Sequence, residues 1–443
     1  MRKRFVFVAL AACFTLAAQA GGLMTNTNYH IAFDRMMARG ATFDIDAAYS
    51  NPAGLAWGHE GWQLSLNFQK PWQFRDIELT TAAGSKTYEG KASAPIVPAL
   101  FAAYKKDRWA VSTMIGIVGS GGFVQYDEGV PMFNALLSGI LAGNNIMPGT
   151  YTLDSEMKCK QYIYGAQLNF TYQFVDCLSA AVGFRANYYD GYYRGHVMAK
   201  DHPLFGDLAS LLLDVDQKGW GFTPILSVGF HKNGLTLAAR YEFRTKVSTT
   251  NDTNVLNRSL GTKVIAALAA TPGGPAKLAA LDSNLKGYTA AYEDGAETRY
   301  DMPALLSVAA GYEFTPKLRA TVEYHFFDDK HAKMAGDRQD ELTHGTHEIL
   351  AGVEYDINEK FTVSCGGQRT DYGLSDGYEQ NTSFACDSYS IGLGGAWNIT
   401  DKLRLNAGYF ISIYSDYQKT TSYGIETYSR TNNVVGLGID YKF

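Results

Sequence analysis

Apolar and polar residues alternate along much of the chain. In the segment 434–443, the odd positions from Val435 to Phe443 are apolar, whereas the even positions include Asp440 and Lys442. Side chains of a β-strand alternate between two faces, so this pattern predicts a strand with one apolar face. The same pattern recurs in 161–174, 235–244 and 318–325.

The lengths of the predicted strands and of their connections separate two all-β architectures. Many strands run to about ten residues or more, which matches a tilted membrane-spanning strand and exceeds the usual length of about 5–6 in soluble sheets. Short turns alternate with long connections, as in bacterial outer-membrane barrels. The predicted strands, about fourteen, are 62–72, 96–105, 108–118, 158–174, 178–195, 217–231, 234–247, 297–314, 317–328, 345–358, 360–371, 384–399, 401–416 and 430–443. The predicted long connections are 73–95, 119–157, 196–216, 248–297, 328–344, 372–384 and 417–429.

These patterns predict an all-β fold, a transmembrane antiparallel β-barrel of about fourteen strands. Closure leaves no strand edge unpaired in lipid, and the apolar face then points outward. We divide the chain into a signal peptide (1–20), an N-terminal luminal hatch or plug (21–60) and the barrel (61–443).

The leader is inferred from a basic start, Arg2-Lys3-Arg4, an apolar run, and the small residues of Ala18-Gln19-Ala20. A lipoprotein-type ending at Cys13 is the alternative, although it shortens the apolar run to about eight residues. Removing the leader takes three positive charges away, so the formal net charge falls from -5 to -8. An acidic chain disfavours nucleic-acid binding.

Four cysteines remain after the leader, and they are widely spaced, without a CxxC pair. Their spacing indicates neither a metal site nor a dense disulfide framework, and it leaves open whether any pair is oxidised. We predict no metal and no cofactor. The four are Cys159, Cys177, Cys365 and Cys386.

The stretch "YSNPAGLAW" (49–57) precedes the first strand and is too irregular to be a strand. Pro52 fixes its own φ and biases Asn51 away from helical backbone. Ala53 and Gly54 permit a close approach to the barrel wall. A barrel of this size leaves an aqueous bore unless something fills it, so we place 21–60 in the lumen. An ordinary turn into the first strand is the alternative.

The segment "RGATFDIDAAYSNPAGLAW", with Asn51-Pro52-Ala53, resembles the N-terminal hatch of the FadL-like long-chain fatty-acid transporters of Gram-negative outer membranes. The resemblance covers essentially the whole mature chain. It implies passive uptake of fatty acids or similar hydrophobic compounds by a monomer. Loops capture the ligand, the plug shifts, and the ligand leaves sideways into the outer-membrane lipid. It also implies that both termini are periplasmic.

Two apolar segments, 130–143 and 204–214, are predicted as short amphipathic helices in outward-facing connections. The resemblance makes them the groove that first captures ligand; mutual packing as a cap is the alternative. The candidate ligand-binding residues are Met132, Phe133, Leu136, Leu137, Ile140, Leu204, Phe205, Leu208, Leu211 and Leu212.

Glycines near the end of the third strand weaken strand pairing and predict a bend. By resemblance this bend opens the lateral exit; a flexible start of a loop is the alternative. The residues are Gly119, Ser120, Gly121 and Gly122.

An arginine in an apolar pocket would bind a fatty-acid carboxylate. Alternation predicts that Arg185, Arg240, Arg244, Arg319 and Arg404 face the lumen. The family's basic contact falls around Arg194, which faces the lumen only if Gly191 forms a bulge. The alternative is a structural network in which the arginines pair with Glu242, Glu313, Glu323, Glu348 or Glu354.

Three rival functions remain. An enzyme is disfavoured because the nine histidines show no GxSxG or H-x-S neighbourhood, and no HExxH motif is present. A general porin would need neither a hatch nor greasy loops. Some FadL-like barrels serve as shuttles or scaffolds in protein secretion, and the sequence does not separate that role from transport.

Overall fold

The computed structural model describes residues 24–94, 96–143 and 145–443. The predicted signal peptide 1–20, together with Cys13, lies outside the described residues. The four other cysteines are all described, and none of them forms a disulfide.

Over the described residues, fourteen antiparallel strands close into one barrel, as predicted. Strand β1 pairs with β14 from Gln63 opposite Lys442 to Thr80 opposite Ile425, which seals the cylinder. The strands are β1 (Gly61–Thr81), β2 (Gly84–Tyr88, Gly90–Ser93 and Val97–Lys106), β3 (Trp109–Tyr126), β4 (Thr152–Val175), β5 (Leu178–Lys200), β6 (Ala209–Lys232) and β7 (Leu235–Glu242 and Ser248–Leu260). They continue with β8 (Glu297–Arg299 and Leu305–Thr315), β9 (Leu318–Phe327), β10 (Thr346–Asp356), β11 (Phe361–Asp371), β12 (Ser388–Asn398), β13 (Leu403–Tyr414 and Tyr417–Thr421) and β14 (Gly424–Lys442).

The helices are short. They are α1 (Ile31–Met36), α2 (Ala47–Ser50), α3 (Pro131–Ala142), α4 (Thr262–Ala269) and α5 (Gly274–Thr289), with 3-10 helices at Pro52–Trp57, Ala290–Tyr292, Asp329–His331 and Ala335–Glu341. None of the helices in the described ranges has the length and apolar character needed to cross a membrane.

The exterior of the barrel is apolar and the interior is polar. On β4, Leu168 is 60% exposed, whereas its neighbours Gln167 and Asn169 are 1% exposed and point into the lumen. Apolar residues stay exposed on almost every strand, among them Val182, Val322 and Leu437. A lipid-facing surface explains this inversion, because such a belt would be unstable in water.

Several strands extend well past the predicted ends. Residues 73–81 continue β1, and 84–93 form a hairpin with it, although 73–95 was predicted as a connection. Likewise 417–421 pairs with 424–428. The predicted strands ended too early because polar residues interrupt the alternation that marks the lipid-facing positions. Outside the membrane, hydrogen bonds from neighbouring strands are enough to hold polar sequence in the sheet.

The helix predicted at 204–214 is wrong. His202 and Gly206 form a bridge around a tight turn, and β6 starts at Ala209. Ala209 pairs with Ala199 on one side and with Leu260 on the other, so strands on both sides satisfy its backbone. A short apolar run is compatible with either a helix or a buried strand, and the available pairing partners decide which of the two forms. The helix predicted at 130–143 is confirmed as α3.

Residues 24–60 pack inside the barrel. Helix α1 lies against β10 to β14, and its backbone passes close to glycines on their lumen faces. A Cβ atom at Gly366 would clash with the carbonyl oxygen of Met36, and one at Gly438 would lie 2.9 Å from Ile31. These glycines therefore make the space that the hatch occupies.

Replacing Gly366 by valine is expected to displace the hatch, because the new side chain and Met36 compete for one space. Overpacking of this kind costs about 1–3 kcal/mol. We expect a lower unfolding temperature in detergent and a larger steady conductance in planar bilayers. The control is Gly367→Val on the opposite face of β11, where a Cβ atom would lie 3.5 Å from the Ser390 carbonyl oxygen. Equal behaviour of the two variants would contradict the packing argument.

Candidate functional site: a hatch, a wall gap and an outer cap

The Asn-Pro-Ala segment is anchored to the wall of the barrel through backbone groups. The Ser227 hydroxyl accepts from the Ala53 N–H at 3.0 Å, and the Ser179 hydroxyl donates to the Ala53 carbonyl at 2.8 Å. Thr171 donates to the Pro52 carbonyl at 2.8 Å. Residues of β4, β5 and β6 thus hold the 3-10 helix that begins at Pro52. Asn51 is non-helical, with φ -162° and ψ 88°, as its position before proline predicts.

Gly54 has a different role from the predicted one. A Cβ atom there would clash with the carbonyl oxygen of Thr42, which belongs to the hatch itself. The close approach that requires glycine is therefore within the hatch, whereas Ala53 makes the approach to the wall. Nothing in the geometry tests the predicted function of the motif, which stays a prediction.

Two of the predicted arginines form a buried network with Glu242. The Arg185 guanidinium pairs with Glu242 and also donates to Asn187 at 3.1 Å. Arg240 lies 3.2 Å from Glu242 and donates to the backbone carbonyl of Tyr49 in the hatch. The two guanidinium groups share the single Glu242 carboxylate, and Arg240 links this network to the hatch.

The other predicted arginines lie in different surroundings. Arg319 pairs with Glu354 and lies 2.7 Å from Asp356. Arg404 lines a crevice under the hatch beside Asp44. In the predicted acidic network, Glu323 and Glu348 hold His325 instead of an arginine, at 2.7 and 2.9 Å, and Glu313 is exposed.

The predicted orientation of Arg244 needs correction, whereas Arg194 follows the simple alternation of its strand. Arg244 is exposed, because the chain between the two segments of β7 breaks the alternation and two successive residues face outward. The sheet register runs without a bulge through Gly191, so Arg194 does not face the lumen. Arg194 instead pairs with Asp214 and Asp216 of β6, at 2.9 and 3.0 Å.

The wall has a gap between β2 and β3. The two strands pair from Lys106 opposite Trp109 to Leu100 opposite Ile115, and again at Lys91 opposite Gln125. Between these stretches the described residues form no ladder pairs. On its other side β3 pairs with β4, with register shifts between Ile117 and Gly119 and between Ser120 and Gly122. The irregularity falls at the predicted glycines, and its use as a ligand exit stays a prediction.

A cavity of about 90 Å³ lies inside this gap. The hatch contributes Thr25, Asn26, Thr27 and Tyr29, and the edges of the gap contribute Ala94, Ser120, Gly122 and Phe123. None of the hatch residues in this lining was singled out from the sequence, because only their position beside a distant strand distinguishes them.

The predicted groove residues divide into two groups. Leu137, Leu208 and Leu211 are buried in one apolar cluster, with Phe133 and Phe205 packed at its margin. A narrow apolar cavity beside this cluster is lined by Phe133, Leu136 and Leu211. Most of these residues pack on each other, and the narrow cavity is the part open to a ligand.

The remaining groove candidates lie apart from this cavity. Met132 is buried in the neighbouring cluster, whereas Leu204 is 74% exposed at the tip of its turn. Leu212 and Ile140 are partly buried.

Two outer connections, 328–345 and 372–387, fold inward and cover the mouth of the barrel. Arg338 stacks over Tyr378 at 4.6 Å, and Tyr378 shares a core cluster with Met24 of the hatch. Asn381 accepts from the N–H of Met132 at 2.6 Å, which joins this cap to α3. The bore is therefore covered from the loop side as well as filled by the hatch. Sequence reasoning treated these segments as ordinary loops.

Glu379 is a fully buried carboxyl group in the cap. Burial raises its pKa from the ordinary 4.5 to about 8, although Arg338 and the N–H of Ala385 favour the charged form. The group is therefore mainly protonated at neutral pH.

The fold was compared with those of known proteins. No protein-family model and no curated protein matches the sequence. The fold is similar to that of a FadL homologue from Pseudomonas aeruginosa, with TM-score 0.69, 15% identity, and coverage of 95% of this chain and 100% of that one. It is also similar to the toluene transporter TodX of P. putida (TM-score 0.59, 12% identity, 91% and 95% coverage). The toluene transporter TbuX of Ralstonia pickettii gives TM-score 0.55, 14% identity, and 94% and 100% coverage.

This chain has the FadL-type fold. The resemblance that the hatch motif indicated is confirmed at that level.

Replacing Glu242 by glutamine is expected to destabilise the folded barrel, because Arg185 and Arg240 lose their buried counter-charge. Breaking a buried pair costs about 3–5 kcal/mol. Unfolding by guanidinium in detergent micelles measures the change. The control is Glu313→Gln, which removes an exposed carboxylate and is expected to leave the midpoint unchanged. A Glu242→Gln midpoint equal to wild type would refute the role of the network.

The cap is expected to open more readily as pH rises. The pKa of Glu379 is higher in the folded cap than in an open chain, so the stability it adds is full below about pH 4.5 and is lost as pH rises through about 8. Hydrogen exchange of amides 372–387, corrected for intrinsic rates, is expected to accelerate over that range. Glu379→Gln is expected to weaken the pH dependence, and Asp329 and Asp387, whose pKa values burial also raises, supply the remainder. Glu359→Gln in an exposed turn is expected to keep the full dependence.

Proposed function

We propose that the protein is an outer-membrane channel through which hydrophobic compounds enter a Gram-negative cell passively, as a monomer with both termini in the periplasm. The observation that carries the proposal is the cavity between the hatch and the gap in the wall. A closed ladder is what keeps backbone polar groups out of lipid. A break in it, next to an internal cavity, provides a sideways route from the lumen into the membrane.

The path begins at the outer loops and ends in the bilayer. Ligand first enters the apolar cavity beside α3, then passes the cap to the internal cavity, and leaves through the gap between β2 and β3. Thr25, Asn26, Thr27 and Tyr29 of the hatch line that cavity, so a ligand there displaces the start of the hatch. The fold of known toluene transporters and of a FadL homologue supports this class of cargo.

A general porin is disfavoured by the filled bore. The hatch and the cap share one apolar cluster, in which Met24 and Tyr378 are both buried. Small polar solutes would need a continuous aqueous path along the axis, and apolar side chains occupy that path. Sideways release needs no such path.

Cells that make the protein are expected to take up labelled oleate or toluene faster than cells that lack it. Purified protein in planar bilayers is expected to show only small, intermittent conductance. A large steady conductance without any difference in uptake would identify a porin instead. Co-purification of a secreted protein, again without uptake, would favour the role in secretion.

Filling the gap in the wall is expected to block uptake. Ala94 lines the cavity at the gap, so Ala94→Trp places an indole in the exit. We expect uptake to fall about tenfold or more, since a bulky group must be displaced for each passage. Ala83→Trp, in the exposed turn between β1 and β2, is the control and is expected to leave uptake unchanged. Normal uptake by the Ala94 variant would rule out this exit.

A further inference from the structure

Three positively charged side chains lie on the outer surface of the barrel, towards the end that carries the long connections. They are Lys218 of β6, and Arg244 and Lys246 in the chain between the two segments of β7; all three are exposed. Arg244 donates to the carbonyl oxygen of His331, which belongs to the outer connection 328–345. We call these three residues the outer basic patch.

A break in the alternation of β7 builds most of this patch. Up to Glu242, the even positions of β7 face the lumen. Phe243 and Arg244 then both face outward, Thr245 is buried, and Lys246 faces outward again. Regular alternation would have placed Arg244 and Lys246 in the lumen. The break therefore moves two positive charges from the interior of the barrel to its exterior.

Aromatic side chains border the patch on the neighbouring strands. Trp220 and Phe222 of β6 are exposed, and their rings lie against those of Tyr188 and Phe184 of β5, with centroids 4.8 and 5.5 Å apart. An aromatic girdle of this kind marks the height at which the hydrocarbon of a bilayer gives way to lipid head groups. The outer basic patch therefore lies where head groups meet the wall of the barrel.

The patch has no acidic partner within the protein. Among the described residues, no carboxylate oxygen lies within 4.0 Å of a side-chain nitrogen of Lys218, Arg244 or Lys246. Asp190 is the sheet partner of Lys218, but it pairs with Lys160 at 2.7 Å. Other carboxylates nearby also have their own cations, in the pairs Arg194–Asp216, Arg299–Asp301 and His331–Asp328. Cations at a membrane boundary are stabilised by anionic lipid, and here the protein leaves that position open.

We propose that the outer basic patch binds a phosphorylated glycolipid of the outer leaflet. Its phosphates contact Arg244, Lys246 and Lys218, and its acyl chains lie along Trp220 and Phe222. Guanidinium and ammonium groups donate charge-assisted hydrogen bonds to phosphate oxygens, and the exposed aromatic rings offer an apolar surface beside them. The assignment rests on the outer-membrane location in the proposed function and involves neither the cavities nor the exit.

The spacing of the cations favours a head group with two phosphates. Lys218 is the sheet partner of Thr250, four residues beyond Lys246, so the two lysine backbones lie about 14 Å apart along the strand direction. A disaccharide with a phosphate at each end spans such a distance. A lipid with a single phosphate meets only one end of the patch.

The test measures which lipids stay bound to the full-length protein, by native mass spectrometry from detergent micelles. The probes are lipid A with both phosphates, the same lipid after removal of both phosphates, and phosphatidylglycerol. Wild type is expected to retain intact lipid A over its dephosphorylated form by about tenfold or more, because each basic residue near an anionic lipid adds to binding. Phosphatidylglycerol is expected to be retained less than intact lipid A.

The triple variant Lys218→Gln/Arg244→Gln/Lys246→Gln is expected to lose the preference for intact lipid A. The matched control removes the same charge from exposed lysines at the short turns of the other end of the barrel, and it is expected to keep the preference. It is Lys106→Gln/Lys317→Gln/Lys360→Gln.

Equal retention of lipid A with and without its phosphates by wild type would overturn the proposal, and this measurement needs no variant to fold. An unchanged preference in a triple variant that unfolds at the wild-type temperature would overturn it as well. Equal retention of phosphatidylglycerol and intact lipid A would overturn the assignment to a head group with two phosphates.

Uptake of oleate and toluene separates this proposal from the channel. A wild type without lipid preference but with normal uptake counts against the outer basic patch alone. A wild type with the lipid preference but without uptake counts against the channel and leaves the patch in place.

Discussion

The need to satisfy every backbone hydrogen bond in lipid governs this molecule. Strands β1 and β14 pair over almost their whole length, and that seam turns an open sheet into a cylinder. Closure then imposes the inverted surface, with Leu168 outside and Gln167 inside. It also creates a bore that has to be filled, and the hatch and the cap fill it from opposite ends. Between β2 and β3 the ladder is interrupted from Leu100 to Lys91 on the β2 side, next to the cavity that the hatch lines.

Space inside the barrel is shared between two kinds of contact. Glycines on the lumen face, such as Gly366, let the backbone of α1 pass close to the wall, while hydroxyls such as Ser179 bind the backbone near Ala53. The arginines of the lumen also differ in their partners. Arg185 and Arg319 pair with Glu242 and Glu354, whereas Arg75 donates to the side chain of Gln73.

Sequence reasoning failed where a choice depended on a partner in space. The alternation of β7 breaks just after Glu242, and this break turns Arg244 outward. The apolar run at 204–214 could form a helix or a strand, and pairing of Ala209 with strands on both sides made it a strand. Arg75 was predicted to lie in a connection, because polar residues beyond the membrane no longer alternate with apolar ones. In the structure it lies in β1, where its partner Arg430 holds the register. Each error concerns a segment near or outside the membrane boundary, where lipid no longer imposes a pattern.

By itself the sequence determined the barrel, its strand number, its outward apolar face and the hatch around Asn51-Pro52-Ala53. Contact with lipid requires apolar residues at every second position of a spanning strand, so these features are visible in short stretches of sequence. It also located α3 and the irregular pairing of β3 near Gly119. Only the tertiary structure decided which arginines are neutralised, where the wall opens, and that 328–345 and 372–387 cover the mouth. Those properties depend on residues far apart in the chain, such as Arg75 and Arg430, that closure alone brings side by side.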